Sequence, residues 1–183
     1  MDFQKILLNI AQNAQNKKGY IMYKESFPSR LKMARKQTGL TQREVAKELN
    51  LSIPNISRYE TGAIEPNLEW LAKFALFYGV TVDWLISLEK HPNKINPMEP
   101  VYKEQEIKKS PAATFALRIK KARYDKKLSQ SQLAKITKIP PSTIAKYEIE
   151  QLEPTIERLA ILAIELEISA DWLLGIDKQP DSS

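Results

Sequence analysis

Two stretches hold the residues whose types and spacing carry chemistry in this 183-residue chain. Leu40 to Glu60 reads LTQREVAKELNLSIPNISRYE, and Leu128 to Glu148 reads LSQSQLAKITKIPPSTIAKYE. They align at a constant offset of 88 positions: Leu40 on Leu128, Gln42 on Gln130, Ala46 on Ala134, Ile56 on Ile144, and Tyr59-Glu60 on Tyr147-Glu148. Neither contains a nucleophile beside a base, nor a phosphate-cradling glycine loop, so the chemistry is recognition and no catalytic residue is expected. The rest of the chain agrees. There is no cysteine, which removes disulfides, zinc fingers and thiol nucleophiles. The one histidine, His91, stands in a Pro-rich stretch, so a histidine-based metal site or catalytic triad has nothing to work with. No cofactor and no metal are expected.

The elements that must position these stretches are themselves duplicated. The offset runs without a gap from Phe27/Phe115 to Asp83-Trp84-Leu85/Asp171-Trp172-Leu173, with about a third of positions identical. One unit of roughly 60 residues therefore fills most of the chain, as two small domains. In the first, about 27–88, five helices are predicted. The first helix runs from Phe27 to Thr38, with Pro28 tolerable in its first turn and Gly39 just past its end. Thr41 and Glu44 have the spacing of a capping box opening the second helix. Asn50 is a left-handed terminator, Ser52 the N-cap of a third helix ending at Gly62, Asn67 the cap of a fourth ending at Gly79, and Thr81 the cap of a short last helix. The second unit, about 115–176, repeats the caps at Ser129…Gln132, Thr155 and Ser169. It loses the stops, because Gly39, Asn50, Gly62 and Gly79 become Lys127, Lys138, Glu150 and Glu167. Either those helix ends are remodelled or the second domain is the less stable, since a non-glycine residue in the left-handed region costs about 1 kcal/mol.

Outside the repeats, residues 2–17 place Phe3, Ile6, Leu7, Ile10 and Ala14 on one helical face behind Asp2 as N-cap, a face too narrow to fold alone. Packing against the first repeat and a homodimer contact both remain open for it. Residues 89–114 carry Pro92, Pro97, Pro100 and Pro111 among alternating Lys and Glu, and read as a linker. It would reach roughly 80 Å extended, and about 25–30 Å as a coil. Residues 177–183 read as a disordered tail. The acid at residue 2 and the short apolar core do not read as a signal peptide, and no run approaches the roughly 18 apolar residues of a spanning helix. The expected location is the cytoplasm, with no membrane partner. Net charge is +6, which suits a polyanionic partner without proving one.

The central pair of helices in each repeat has the mechanics of a helix-turn-helix. A small residue, Ala46 or Ala134, lets the pair cross closely, and Ile56 or Ile144 buries the inner face of the third helix. Residues facing outward at the start of that helix then meet base edges, while helix N-termini offer N–H groups to phosphates. Both units resemble the phage-repressor and Cro type of helix-turn-helix, the five-helix lambda-repressor-like (XRE-like) class. The matching residues are Arg30-Leu31, Arg35, Leu40-Thr41-Gln42, Val45-Ala46, Ile56, Tyr59-Glu60, Glu65-Pro66 and Val82-Asp83-Trp84-Leu85. Their equivalents are Arg118, Arg123, Leu128-Ser129-Gln130, Ile144, Tyr147-Glu148, Glu153-Pro154 and Asp171-Trp172-Leu173.

The resemblance covers both repeats but neither the N-terminal helix nor the linker, and implies two tandem five-helix domains. With the Pro-containing linker and the N-terminal amphipathic helix read from the residues, an all-α protein is expected. The resemblance further implies a sequence-specific regulator, a repressor of a bacterium, phage or mobile element, bound to double-stranded DNA. Gln42 and Gln130, with Arg43 and Ser131 beside them, would hold a phosphate and brace the third helix. The reading positions would be Ile53, Pro54, Asn55, Ser57 and Arg58, and Pro141, Ser142, Thr143, Ala145 and Lys146. Arg35–Glu60 and Arg123–Glu148 would be structural ion pairs, and Trp84 and Trp172 core anchors. A homodimer through the N-terminal helix or the domains' C-terminal helices, and a regulatory protein partner, are the further partners expected.

The departures are local. Ile53-Pro54 and Pro141-Ser142 stand where the family often has polar or basic readers, although Ile can touch a thymine methyl. The turns after the third helix, Ala63-Ile64-Glu65 and Glu150-Gln151-Leu152-Glu153, carry acids that repel phosphate. With eight cations against six acids in residues 27–88, and ten against eight in residues 115–176, each domain alone is a modest DNA binder. These features support a second reading, a protein-interaction module such as an antitoxin or protein inhibitor on the same fold.

Overall fold

A computed structural model describes residues 26–89 and 110–176, which fall into two compact all-helical units that largely correspond to the two repeats. The N-terminal segment, most of the linker and the C-terminal tail lie outside the described residues. The first repeat contains α1 (Phe27–Gln37), α2 (Gln42–Glu48), α3 (Ile53–Thr61), α4 (Leu68–Tyr78) and α5 (Val82–Leu85). The second contains α6 (Pro111–Asp125), α7 (Gln130–Thr137), α8 (Pro141–Glu148), α9 (Ile156–Leu166) and α10 (Ala170–Leu174).

Helix starts follow the caps. Thr41 and Glu44 close a reciprocal box, with Glu44 N–H on Thr41 Oγ1 at 3.2 Å and Thr41 N–H on Glu44 Oε2 at 2.7 Å. Ser129 and Gln132 do the same at 3.1 and 2.8 Å. Ser52, Asn67 and Thr81 cap α3, α4 and α5, and Thr155 and Ser169 cap α9 and α10. Two starts differ from expectation. α6 begins at Pro111 rather than at Phe115, because Ser110 accepts the Ala113 N–H at 3.2 Å and Pro111 occupies a first-turn position where its missing N–H costs nothing. The four residues 111–114 are thus helix, not linker. At α8 the counterpart of Ser52 is Pro140, which has no side-chain cap to offer.

The helix ends are not remodelled in the second repeat. Lys127, Lys138, Glu150 and Glu167 sit at φ 55°, 59°, 62° and 55°, the same left-handed region used by Gly39, Asn50, Gly62 and Gly79. The chain path is kept and the side chains bear the strain. After the last helix the asymmetry reverses: Ser87 is left-handed in the first repeat (φ 72°) and Gly175 in the second (φ 77°).

Each core is built from the inner faces of its helices. Leu31, Val45, Ile56 and Trp84 are buried in the first repeat, and Phe115, Ile119, Leu133, Ile144 and Leu159 in the second. The equivalent tyrosines each meet a phenylalanine edge to face, but on different helices: Tyr59 with Phe74 of α4 at 5.3 Å, and Tyr147 with Phe115 of α6 at 5.8 Å between centroids. Trp84 is a core anchor at 2% exposure. Trp172 is only half-buried, and the Arg118 guanidinium lies 5.0 Å from its ring centroid.

Candidate nucleic-acid interface

Close crossing of α2 on α3 requires a small residue at the contact, and Ala46 and Ile56 are both buried there, as are Ala134 and Ile144 between α7 and α8. The orientation of α3 is then fixed by charge. Arg35 on α1 donates Nε to Glu60 Oε1 at 2.5 Å and Nη2 to Oε2 at 3.0 Å, and its Nη1 reaches the Leu40 carbonyl at 2.9 Å. Gln42, the first residue of α2, adds its Nε2 to Glu60 Oε2 at 2.9 Å. The Glu60 carboxylate on α3 therefore ties α1 to α2, and Arg35 in turn holds the Leu40 carbonyl in the turn before α2.

The second repeat duplicates the arrangement. Arg123 meets Glu148 at 2.6 and 2.8 Å and the Leu128 carbonyl at 2.8 Å, and Gln130 meets Glu148 at 2.9 Å. Burial pushes the Glu60 carboxyl up, but the Arg35 and Gln42 hydrogen bonds and the charges of Arg35 and Lys32 outweigh it and leave it below the ordinary range. Glu148 is held low in the same way by Arg123, Gln130 and Lys120. Hydrogen bonding to their glutamates raises both arginines, so the two sides of each pair agree.

With Ile56, Tyr59 and Glu60 facing inward, α3 turns Ile53, Pro54 and Arg58 outward, and Asn55 and Ser57 are half-buried. Ile53 is 46% exposed, a large apolar side chain on a surface with no core role. On α8, Pro141, Ser142 and Lys146 are exposed while Thr143 and Ala145 are half-buried. Arg43 and Ser131 are exposed in the first turns of α2 and α7. Of the expected site residues, Gln42 and Gln130 each donate an amide N–H to the glutamate of the third helix.

Two features escaped the sequence reading. Arg30 and Arg118 tie their first helices to the last, donating to the main-chain carbonyls of Trp84 and Trp172, and Arg30 also reaches the Glu89 carbonyl. Both are among the residues that carry the family resemblance and recur at one register, but neither signal gave their carbonyl partners. The second feature is an open groove of about 410 Å³ lined by Ser131, Lys135, Lys138 and Pro140-Pro141 at the turn of the second helix-turn-helix. Lys138, at its margin, is left-handed (φ 59°) as its alignment with Asn50 leads one to expect, but no sequence pattern points to the groove itself. Among the described residues, no cluster of acids and histidine is placed to hold a metal ion, and no helix is long and apolar enough to cross a membrane.

Comparison with known proteins gives this architecture its class. A helix-turn-helix family model matches the chain twice, at residues 31–85 and 119–173, and the chain belongs to that family, of XRE-like type. Over 69 residues it is 36% identical to the HTH-type transcriptional regulator ImmR of Bacillus subtilis (strain 168), covering 38% of this chain and 54% of that protein. It is 38% identical over 64 residues to the HTH-type transcriptional activator BcrR of Enterococcus faecalis, covering 35% and 31%. The SPbeta prophage-derived uncharacterized HTH-type transcriptional regulator YonR of B. subtilis is 35% identical over 60 residues, 33% and 56% of the two chains. The chain thus spans about half the length, or less, of these curated relatives. No solved structure matches it.

Proposed function

We propose that this chain is a sequence-specific DNA-binding transcription regulator, a repressor working from the bacterial cytoplasm, that engages one duplex with two linked helix-turn-helix domains and does no catalysis. The observation carrying this reading is the helix-turn-helix frame built twice, each with its third helix locked from behind by a buried ion pair and an unpaired cation, Arg58 or Lys146, on its outer face. The names of the relatives favour it over the interaction-module reading. Gln42 and Gln130, braced against their glutamates, would meet phosphates beside Arg43 and Ser131. Ile53, Pro54, Asn55, Ser57 and Arg58, and Pro141, Ser142, Thr143, Ala145 and Lys146, would face the major groove.

Two modest domains on one chain bind well together, because the second engagement is intramolecular at an effective concentration near millimolar for a suitable linker. The 89–110 connection would span the roughly 34–36 Å between successive major-groove faces. The test is retention on mixed-sequence duplex at low and raised salt. Affinity should fall with a log–log slope of about −0.9 per phosphate neutralised. Failure to bind at low salt defeats the proposal. Sedimentation of the full chain, with and without residues 1–26, tests a homodimer through the N-terminal segment.

A further inference from the structure

The chain has seven arginines, all within the described residues, and five are committed to the fold. Arg30 and Arg118 bind main-chain carbonyls, Arg35 and Arg123 their glutamates, and Arg158 the Tyr147 hydroxyl at 3.3 Å. The other two, Arg43 and Arg58, are exposed and make no ion pair or hydrogen bond among the described residues. Both lie on the helix-turn-helix of the first repeat. Their counterparts in the second are Ser131 and Lys146, and the free cations there, Lys135, Lys138 and Lys146, are all lysines.

The difference is chemical. A guanidinium presents parallel donors in a fixed plane that match guanine O6 and N7, whereas an ammonium can reach the same atoms but is a compact, strongly hydrated point charge without the planar fork that fixes one base. The first turns differ as well. Ile53 offers an exposed apolar surface to a thymine methyl, while its counterpart Pro141 has neither an N–H nor a polar side chain and leaves only the short hydroxyls of Ser142 and Thr143 there.

Resting on the DNA-binding reading above, we propose that base discrimination is concentrated in the first repeat, where Arg58 reads a guanine and Arg43 grips a flanking phosphate, and that the second repeat holds the same duplex through phosphates with little base preference. The operator is then one well-defined half-site beside a loosely defined tract, rather than two matched halves.

The experiment is selection of bound sequences from random duplex DNA with the full chain and its Arg58→Ala, Arg58→Lys and Lys146→Ala variants, followed by affinities for the selected and an unrelated duplex. Arg58→Ala should erase one guanine preference and weaken binding to the selected duplex by roughly 10- to 100-fold, with a much smaller loss on the unrelated one. Arg58→Lys should keep the charge and still lose the preference. Replacing that guanine by 7-deazaguanine, which lacks N7, should weaken the parent chain and leave Arg58→Ala unaffected. Lys146→Ala should lower both affinities by the same factor and flatten the salt slope by about 0.9. Two equally defined half-sites, or a base position relaxed by Lys146→Ala, overturns the division while leaving DNA binding intact. No binding to any duplex by the parent chain overturns the DNA reading itself, and the division with it.

Discussion

The first and second repeats share their frame and differ in their finish. The Arg–Glu–Gln network has the same atoms and near-equal distances in both, Arg35–Glu60–Gln42 and Arg123–Glu148–Gln130. The capping boxes keep their geometry with different residues, Thr41–Glu44 and Ser129–Gln132, and Arg30 and Arg118 both donate to the carbonyl of the equivalent tryptophan. The helix stops differ, with glycine or asparagine in one repeat and lysine or glutamate in the other, at the same left-handed angles. The cap of the third helix differs as well. Magnitudes separate the two groups: stranding one member of a buried charge pair costs about 3–5 kcal/mol, whereas a strained stop costs about 1–2. What is identical is what is expensive to change. What differs is what a small domain tolerates, though three losses of glycine, partly offset by Gly175 in place of Ser87, are a sizeable share of the margin of a 60-residue unit.

The comparison breaks first if the networks are not equivalent. Glu60→Ala and Glu148→Ala should each destabilise their own repeat by about 3 kcal/mol or more, read by residue-resolved amide exchange on the full chain. A large loss in one repeat and none in the other shows that the duplicated geometry carries unequal energy. The pH dependence follows with a definite sign. Both carboxyls are held below their unfolded values, so their stabilisation is complete above the ordinary glutamate range, about pH 4.3, and is lost as pH falls through the lower folded value. Acid should therefore weaken both repeats, and the Gln variants should show a flatter acid limb in denaturant midpoints.

The stops sharpen the comparison next. Lys127→Gly, Lys138→Gly and Glu150→Gly should each stabilise the second repeat by about 0.5–1 kcal/mol. That is the relief of left-handed strain, about 1–2 kcal/mol, less the extra freedom glycine adds to the unfolded chain, about 0.4–1. Glu167→Gly should gain least, because Glu167 also meets Lys126 at 2.9 Å in a half-exposed pair worth at most about 1 kcal/mol. In the first repeat, Gly62→Ala should cost more than Gly39→Ala. Both are left-handed, but a Cβ on Gly62 would lie 3.1 Å from Pro28 Cγ, while one on Gly39 meets nothing within 4 Å. Thermal exchange profiles should show the second repeat opening first and the glycine variants closing the gap. A second repeat already as stable as the first removes the strain argument.

Much of this was legible in the residues, for reasons that locate what was not. Caps and stops act within four residues, so Thr41, Ser52, Asn67 and Gly62 announced their helices directly. The ion pairs span 25 positions, yet the repeat displayed each twice at one spacing. Trp172 was misjudged because its type matched Trp84, while its burial depends on neighbours that a pattern does not show. The early start of α6 was hidden by Pro111, which reads as a breaker in isolation and as a first-turn residue behind Ser110. The expected capping of the second repeat overlooked Pro140, since only the aligned serine reveals a missing oxygen. The reading surface was the least legible. Which arginines are free depends on knowing where the other five go.

The smallest effect concerns that cap. Ser52 Oγ accepts the Asn55 N–H at 3.4 Å, a long bond, and Pro140 offers nothing to α8. Ser52→Ala should cost the first repeat about 0.5 kcal/mol, the low end for an N-cap, because the bond is stretched and its donor is near solvent. Pro140→Ser supplies an oxygen to the Thr143 N–H but gives up the stiffening of the unfolded chain that proline provides, so the two contributions nearly cancel. Measured exchange at Thr143 and Ile144 separates them, because a new cap slows those amides even when global stability is unchanged. Unchanged amide rates would mean that the Pro140 carbonyl, which already accepts from Thr143 at 2.9 Å and Ile144 at 3.1 Å, secures the helix start unaided. The two repeats would then be equal at this point despite their different residues.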